Sequence, residues 1–180
     1  LAYPHFIGTI QEFVNRFLAL PDLRSRGISD FTIDNDEYVR AARRLLERQE
    51  FIWLRGTLNG LGDIDTQDGF LRSTFRLNST EIYISKRPSA WRQPANFERA
   101  KRDLSRLKGY LEERGFFLFR DMYTHGQIAA AQNSNITKYL VSRFPYLFID
   151  EMQDTQKFQD ELLRMVFPLG PEGSIVQRFG

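Results

Sequence analysis

Apolar residues recur at helical spacing over much of the chain. Phe13, Phe17 and Leu20 share a face behind Thr9, a helix-capping residue type, so the pattern predicts a helix from Thr9 to about Leu20, ended by Pro21. Tyr38, Ala41, Leu45, Gln49 and Ile52 continue the 3.6-residue period with one polar lapse, predicting a second helix from Asp36 to about Arg55, stopped by Gly56. Four glycines and three aspartates between Gly56 and Gly69 predict a loop.

The period then changes. Phe70–Leu77 and Glu81–Ser85 flank Asn78-Ser-Thr80, and the second run alternates polar and apolar, so the pair reads as a hairpin. Pro88 and Pro94 bracket a linker containing Trp91. Phe97, Ala100, Leu104, Leu107 and Leu111 predict a helix from Asn96 to Arg114, with Gly115 at its end. Phe116–Phe119 is a short apolar run, and Asp121–Arg143 is helix-prone. Tyr146-Leu-Phe-Ile149 is too short for a helix and apolar at every position, which predicts a buried parallel strand. A helix over Thr155–Phe167, with Phe158, Leu162, Met165 and Val166 inward, and a strand over Ser174–Phe179 complete a strand–helix–strand unit. The expected class is therefore α/β, a parallel sheet with covering helices.

Composition narrows the classes. The absence of cysteine excludes a disulfide scaffold and any thiolate metal site, and is what a cytoplasmic protein would show. No run approaches the roughly 18 apolar residues of a membrane span. A formal charge of +2 does not announce nucleic-acid binding, although only five of the 25 basic residues are Lys. Base composition accounts for that bias more readily than a preference for bidentate phosphate contacts, which stays open. The chain starts without Met close to a helical run and stops directly after a strand-like one, so it is expected to be an excerpt of a longer polypeptide.

The candidate chemistry is Asp150-Glu151-Met-Gln153-Asp154-Thr155, directly after the strand. Open α/β sheets bind ligands at the carboxyl ends of their strands. Two carboxylates there can divide labour, one holding Mg2+ and the other polarising the water that attacks the γ-phosphate of ATP. The competing reading is that both acids cap the following helix through its dipole.

Phe148–Thr155 resembles the D-E-x-Q-D-T/S motif of the UvrD/Rep/PcrA helicases of superfamily 1. The resemblance implies Asp150 at the metal, Glu151 with Gln153 at the catalytic centre, and Asp154 coupling the site to neighbouring motifs. Ser174–Gly180 resembles the strand leading into the family's next motif. Ile7-Gly-Thr9-Ile-Gln11-Glu-Phe13 resembles the T-x-H-x-F segment that touches single-stranded DNA, with Gln11 in place of His, which implies DNA contacts at Thr9, Gln11 and Phe13. Phe119–Met122 weakly echoes the acidic, aromatic segment that precedes the D-E motif.

The implied fold is an incomplete RecA-like P-loop NTPase domain, residues 1–29 and 101–180. A mostly helical inserted subdomain with a small hairpin would occupy 30–100. The implied function is ATP- and Mg2+-dependent movement on single-stranded DNA, in repair or phage defence. Its partners would be the rest of the polypeptide, including a second motor domain, and a nuclease or repair protein. No Gly-Lys dipeptide is present, so the phosphate-binding loop lies outside this sequence and the chain alone is expected to be inactive. The family layout also implies a strand missing between Tyr146–Ile149 and Ile175–Phe179. The gap would be filled by the remaining protein, by another chain, or by the two strands closing up. A non-hydrolysing module that binds nucleic acid or a partner on the same fold is the alternative function.

Other patterns are weaker. Asp63, Asp65 and Asp68 lack the glycine and closing glutamate of a calcium loop, and Asp68-Gly69 reads as a hairpin turn. His5 and His125 have no companions at zinc-ligand spacing. Trp53 and Trp91 read as core, and the cations of Arg99–Arg106 as a solvated face.

Overall fold

The computed structural model describes residues 5–150, 155–169 and 173–179. The chain forms two compact units, the first from residues 1–26 and 122–180, the second from 27–121. The sequence pattern puts the divisions after residues 29 and 100.

Thr9 opens helix α1 (Ile10–Val14) with a capping box. Its hydroxyl accepts from the Glu12 amide at 3.1 Å, and the Glu12 carboxylate accepts the Thr9 amide at 2.7 Å. The helix passes through a π turn, Asn15–Ala19, into α2 (Leu20–Ser25). Pro21 therefore does not end it. It falls in the first turn after the wider π turn, where a missing N–H costs least.

In the second unit, strand β1 (Thr32–Ile33) leads into α3 (Asn35–Leu46), whose first amides bond to the Asp34 carboxylate. The predicted helix to Arg55 is broken. Residues 47–50 are all exposed, and Arg48 takes an extended conformation. The chain resumes through a 3-10 turn, Gln49–Phe51, which buries Phe51, into α4 (Ile52–Asn59), which carries Leu54 and Leu58 into the core. The polar lapse at Gln49 was the break itself.

The predicted loop Gly56–Gly69 is also corrected. Gly56 lies inside α4, and Asp63 caps α5 (Ile64–Ser73), which contains Asp68 and Gly69. Asp68 pairs with Arg43 of α3 at 2.6 Å, and Phe70 and Leu71 are buried. Burial of that apolar pair outweighs the low helix propensity of the glycines. A shorter hairpin than predicted follows, β2 (Phe75–Arg76) against β3 (Ile82–Tyr83), with the Phe75 and Tyr83 rings stacked at 4.8 Å. Trp91 is no linker residue. It is fully buried and meets Phe70 edge-on, so the core reading holds.

Helix α6 (Pro94–Glu113) buries Ala100, Leu104, Leu107 and Leu111 as its spacing predicts. It ends before Gly115, whose φ of +78° and close approach to Asp30 exclude a side chain. The Gly115 carbonyl accepts the Thr32 amide at 2.8 Å, and β4 (Phe116–Phe117) pairs in parallel with β1.

The boundary between the units falls within α7 (Phe119–Gln132). In the first unit, Gly126 of this helix brings Val14, Leu18 and Leu162 close enough that a Cβ would meet Val14 at 3.0 Å. Asn133 caps α8 (Ser134–Arg143), splitting the helix-prone stretch in two. Strand β5 (Tyr146–Ile149), helix α9 (Lys157–Val166) and strand β6 (Ile175–Arg178) form the expected parallel unit. Two details differ. Tyr146 and Phe148 are 63% and 66% exposed, so β5 is covered on one face only, and Met165 faces solvent while Leu163 is buried. Among the expected outcomes for the missing strand, the two strands close up, pairing from Tyr146↔Ile175 to Ile149↔Arg178. The described residues thus form a mixed α/β chain with short parallel sheets.

Candidate functional site

The chain directs Asp150 to the carboxyl end of a parallel strand. Backbone bonds frame β5 at both ends, from the Ile175 amide to the Pro145 carbonyl at 2.8 Å and from the Phe179 amide to the Ile149 carbonyl at 2.9 Å. Asp150 follows the last paired residue and is exposed. Glu151, Gln153 and Asp154 lie outside the described residues. Helix α9 begins at Lys157 with Gln156 as its cap, and the Gln156 amide bonds to Gln159 Oε1 at 2.8 Å. Asp150 is therefore not the capping residue.

The support behind the strand end is polar and specific. Asp160 of α9 accepts from Arg164 at 2.7 Å and forms an ion pair with Arg178 of β6 at 2.7 Å, which ties the helix to the strand. The Arg164 bond, with Arg178 adding to it, holds the Asp160 carboxyl below its ordinary range. On the other side of α9, Gln159 Nε2 donates to the Tyr123 hydroxyl at 2.8 Å, and the Tyr123 ring packs edge-on against Phe158 at 4.8 Å.

Among the described residues, no cluster of three His, Asp or Glu side chains could hold a metal unaided. A single exposed carboxylate at a strand end fits Mg2+, which keeps most of its waters and takes one or two carboxylates plus substrate phosphates.

The Thr9 segment is occupied by local structure. Thr9 caps its own helix, Gln11 Nε2 donates to Asn15 Oδ1 at 2.9 Å, and Phe13 is 5% exposed. The Phe13 ring meets Phe6, Phe17, Phe144 and Phe167 at 5.1–5.8 Å.

One feature of the second unit escaped the sequence reading. Lys108 and Asp121 form a fully buried ion pair at 2.6 Å. Lys108 also donates to the Tyr38 hydroxyl at 3.0 Å, and Asp121 accepts the Arg76 amide at 3.0 Å. Burial opposes the lysine charge, but the Asp121 carboxylate and Tyr38 together outweigh it and hold Lys108 above its ordinary range. The available signal was Lys108 itself, placed beside Leu104, Leu107 and Leu111 on the buried face of α6.

No helix among the described residues is long and apolar enough to cross a membrane. No curated protein matches the sequence. The model of the UvrD/REP helicase N-terminal domain matches residues 7–176, nearly the whole chain. With a match of that extent, the chain belongs to the UvrD/REP helicase N-terminal domain family.

Proposed function

We propose that this chain is part of an ATP-driven motor that moves on single-stranded DNA. The first unit would be the incomplete RecA-like part of the motor and the second unit the inserted accessory subdomain. The observation that carries the reading is the placement of Asp150, exposed at the carboxyl end of a strand paired in parallel with β6.

In this reading Asp150 holds Mg2+, directly or through water, and the ion neutralises phosphate charge when nucleotide is bound. Glu151 accepts a proton from the attacking water, Gln153 orients groups around it, and Asp154 couples the site to adjoining segments. The tie from Asp160 to Arg178 holds α9 against β6, the strand paired with the one that leads to Asp150. Thr9 and Gln11 would meet DNA at the start of α1, with Phe13 supporting that turn from the core.

ATP and Mg2+ are thus the proposed cofactors and single-stranded DNA the proposed partner. Grip on the phosphates must come from a loop that the 180 residues do not contain, so the chain alone should not turn over ATP. The test is DNA-stimulated, Mg2+-dependent hydrolysis by the protein with such a loop in place, compared with its Glu151→Gln variant. Nucleic-acid binding without hydrolysis in either form would favour the alternative binding module.

A further inference from the structure

The Phe13 ring is enclosed by other rings, so the exposed chemistry of this region has to be sought elsewhere in the first unit. Arg16, one turn further along, is exposed, and its guanidinium stands 5.4 Å from the Phe17 ring. Among the described residues no carboxylate pairs with it. From α8, Arg143 stands 5.3 Å from the same Phe17 ring and donates from Nη1 to the Tyr139 hydroxyl at 2.7 Å. Tyr139 is 56% exposed. Two guanidinium groups therefore converge on Phe17, and one of them holds the hydroxyl of an exposed aromatic ring.

The helix that carries Tyr139 bears cations only. The sequence carries 23 acidic residues, yet none lies between Asp121 and Asp150, and α8 bears Lys138 and Arg143 with no acid. Glu12, the nearest acid along α1, is engaged with the Thr9 amide. An exposed arginine held against a ring, together with an exposed ring on a helix that bears cations and no acid, suits a strand that offers phosphates and unpaired bases together. An acidic peptide would use the cations but have no need of the tyrosine face.

We propose that Arg16 and Tyr139 contact single-stranded nucleic acid, Arg16 at a phosphate and the Tyr139 ring against a base, with Arg143 orienting the ring through its hydroxyl. This rests on the single-stranded DNA reading above and adds contacts outside the Thr9–Phe13 segment.

The test is fluorescence anisotropy of a labelled oligo(dT) titrated with the protein at several salt concentrations. Tyr139→Ala should weaken binding about 5- to 100-fold with little change in salt dependence, the loss of one stacked base. Tyr139→Phe, which keeps the ring, should bind within about threefold of the unaltered protein. Arg16→Ala should weaken binding and reduce the salt slope by about 0.7, one phosphate contact on a single strand. Lys157→Ala, at an exposed position on α9, serves as the charge control. The patch is overturned if the oligonucleotide binds and neither Arg16 nor Tyr139 matters. It is also overturned if Lys157→Ala loses as much as Arg16→Ala, or if a polyglutamate peptide competes as well as unlabelled oligo(dT). Failure of the unaltered protein to bind any single strand would overturn the DNA reading together with the patch.

Discussion

The ammonium of Lys108 lies 2.6 Å from the Asp121 carboxylate, and both side chains are closed to solvent. The pair gathers four parts of the second unit. Tyr38 comes from α3, the Thr74 carbonyl from the end of α5, Lys108 from α6, and Asp121 from the start of α7. Arg76 and Leu118 add backbone amides to the same carboxylate, so its lone pairs are well used.

A buried pair of this kind is costly to break from one side. Asp121→Ala should destabilise the protein by about 3–5 kcal/mol, because the lysine is left charged without a partner. Lys108→Met combined with Asp121→Asn should lose less than the sum of the two single changes. Urea unfolding of the three variants measures the difference, and strict additivity would mean that the two residues do not act together.

The pair also sets an alkaline limit. Lys108 is held above its ordinary value, so its stabilisation is full below about pH 10.4, the unfolded value, and is lost as pH rises through the higher folded value. The unaltered protein should lose stability through that window. Lys108→Met should follow a flatter curve, read as unfolding midpoints from about pH 9 upward.

Gly115 is fixed by backbone geometry. A Cβ there would lie 2.0 Å from the Asp30 carbonyl oxygen, in a conformation with φ of +78°. Gly115→Ala should cost well over about 1 kcal/mol, read as a lowered thermal midpoint. Gly69, which has open space around its Cβ position in α5, should tolerate the same change or gain from it.

Phe13 illustrates how far the sequence could be read. Its helical spacing correctly placed it on the inner face of α1, and the capping signal of Thr9 was equally legible. The helix over Asn96–Arg114 and the closing strand–helix–strand unit were visible for the same reason, since their apolar periods are long and uninterrupted. The stretch from Gln49 to Gly69 was not legible, because its outcome depends on tertiary burial of Phe51, Phe70 and Leu71, which local propensity does not register. The buried Lys108–Asp121 pair was hidden because the two charges, each ordinary in its own segment, meet only after folding. For the site, the sequence placed Asp150 at the end of a strand, and the pairing of β5 with β6 supplies that setting. The exposed face of Tyr146 and Phe148 could not be anticipated from a run that is apolar throughout.

The packing of Phe13 carries its own prediction. Phe13→Ala should cost about 3–5 kcal/mol of stability, since the ring is enclosed by four others. Any loss of DNA binding in this variant should follow unfolding, and should recover at temperatures where circular dichroism shows the variant folded.

The central claim concerns the two acids after β5. Its most direct measurement is steady-state ATP hydrolysis, with Mg2+ and single-stranded DNA, by the protein that carries these residues together with a phosphate-binding loop, set against Glu151→Gln in the same background. The account predicts a fall in kcat of about 100-fold or more with ATP binding retained, as expected for loss of a group that accepts a proton from the attacking water. Turnover unchanged by Glu151→Gln would contradict it.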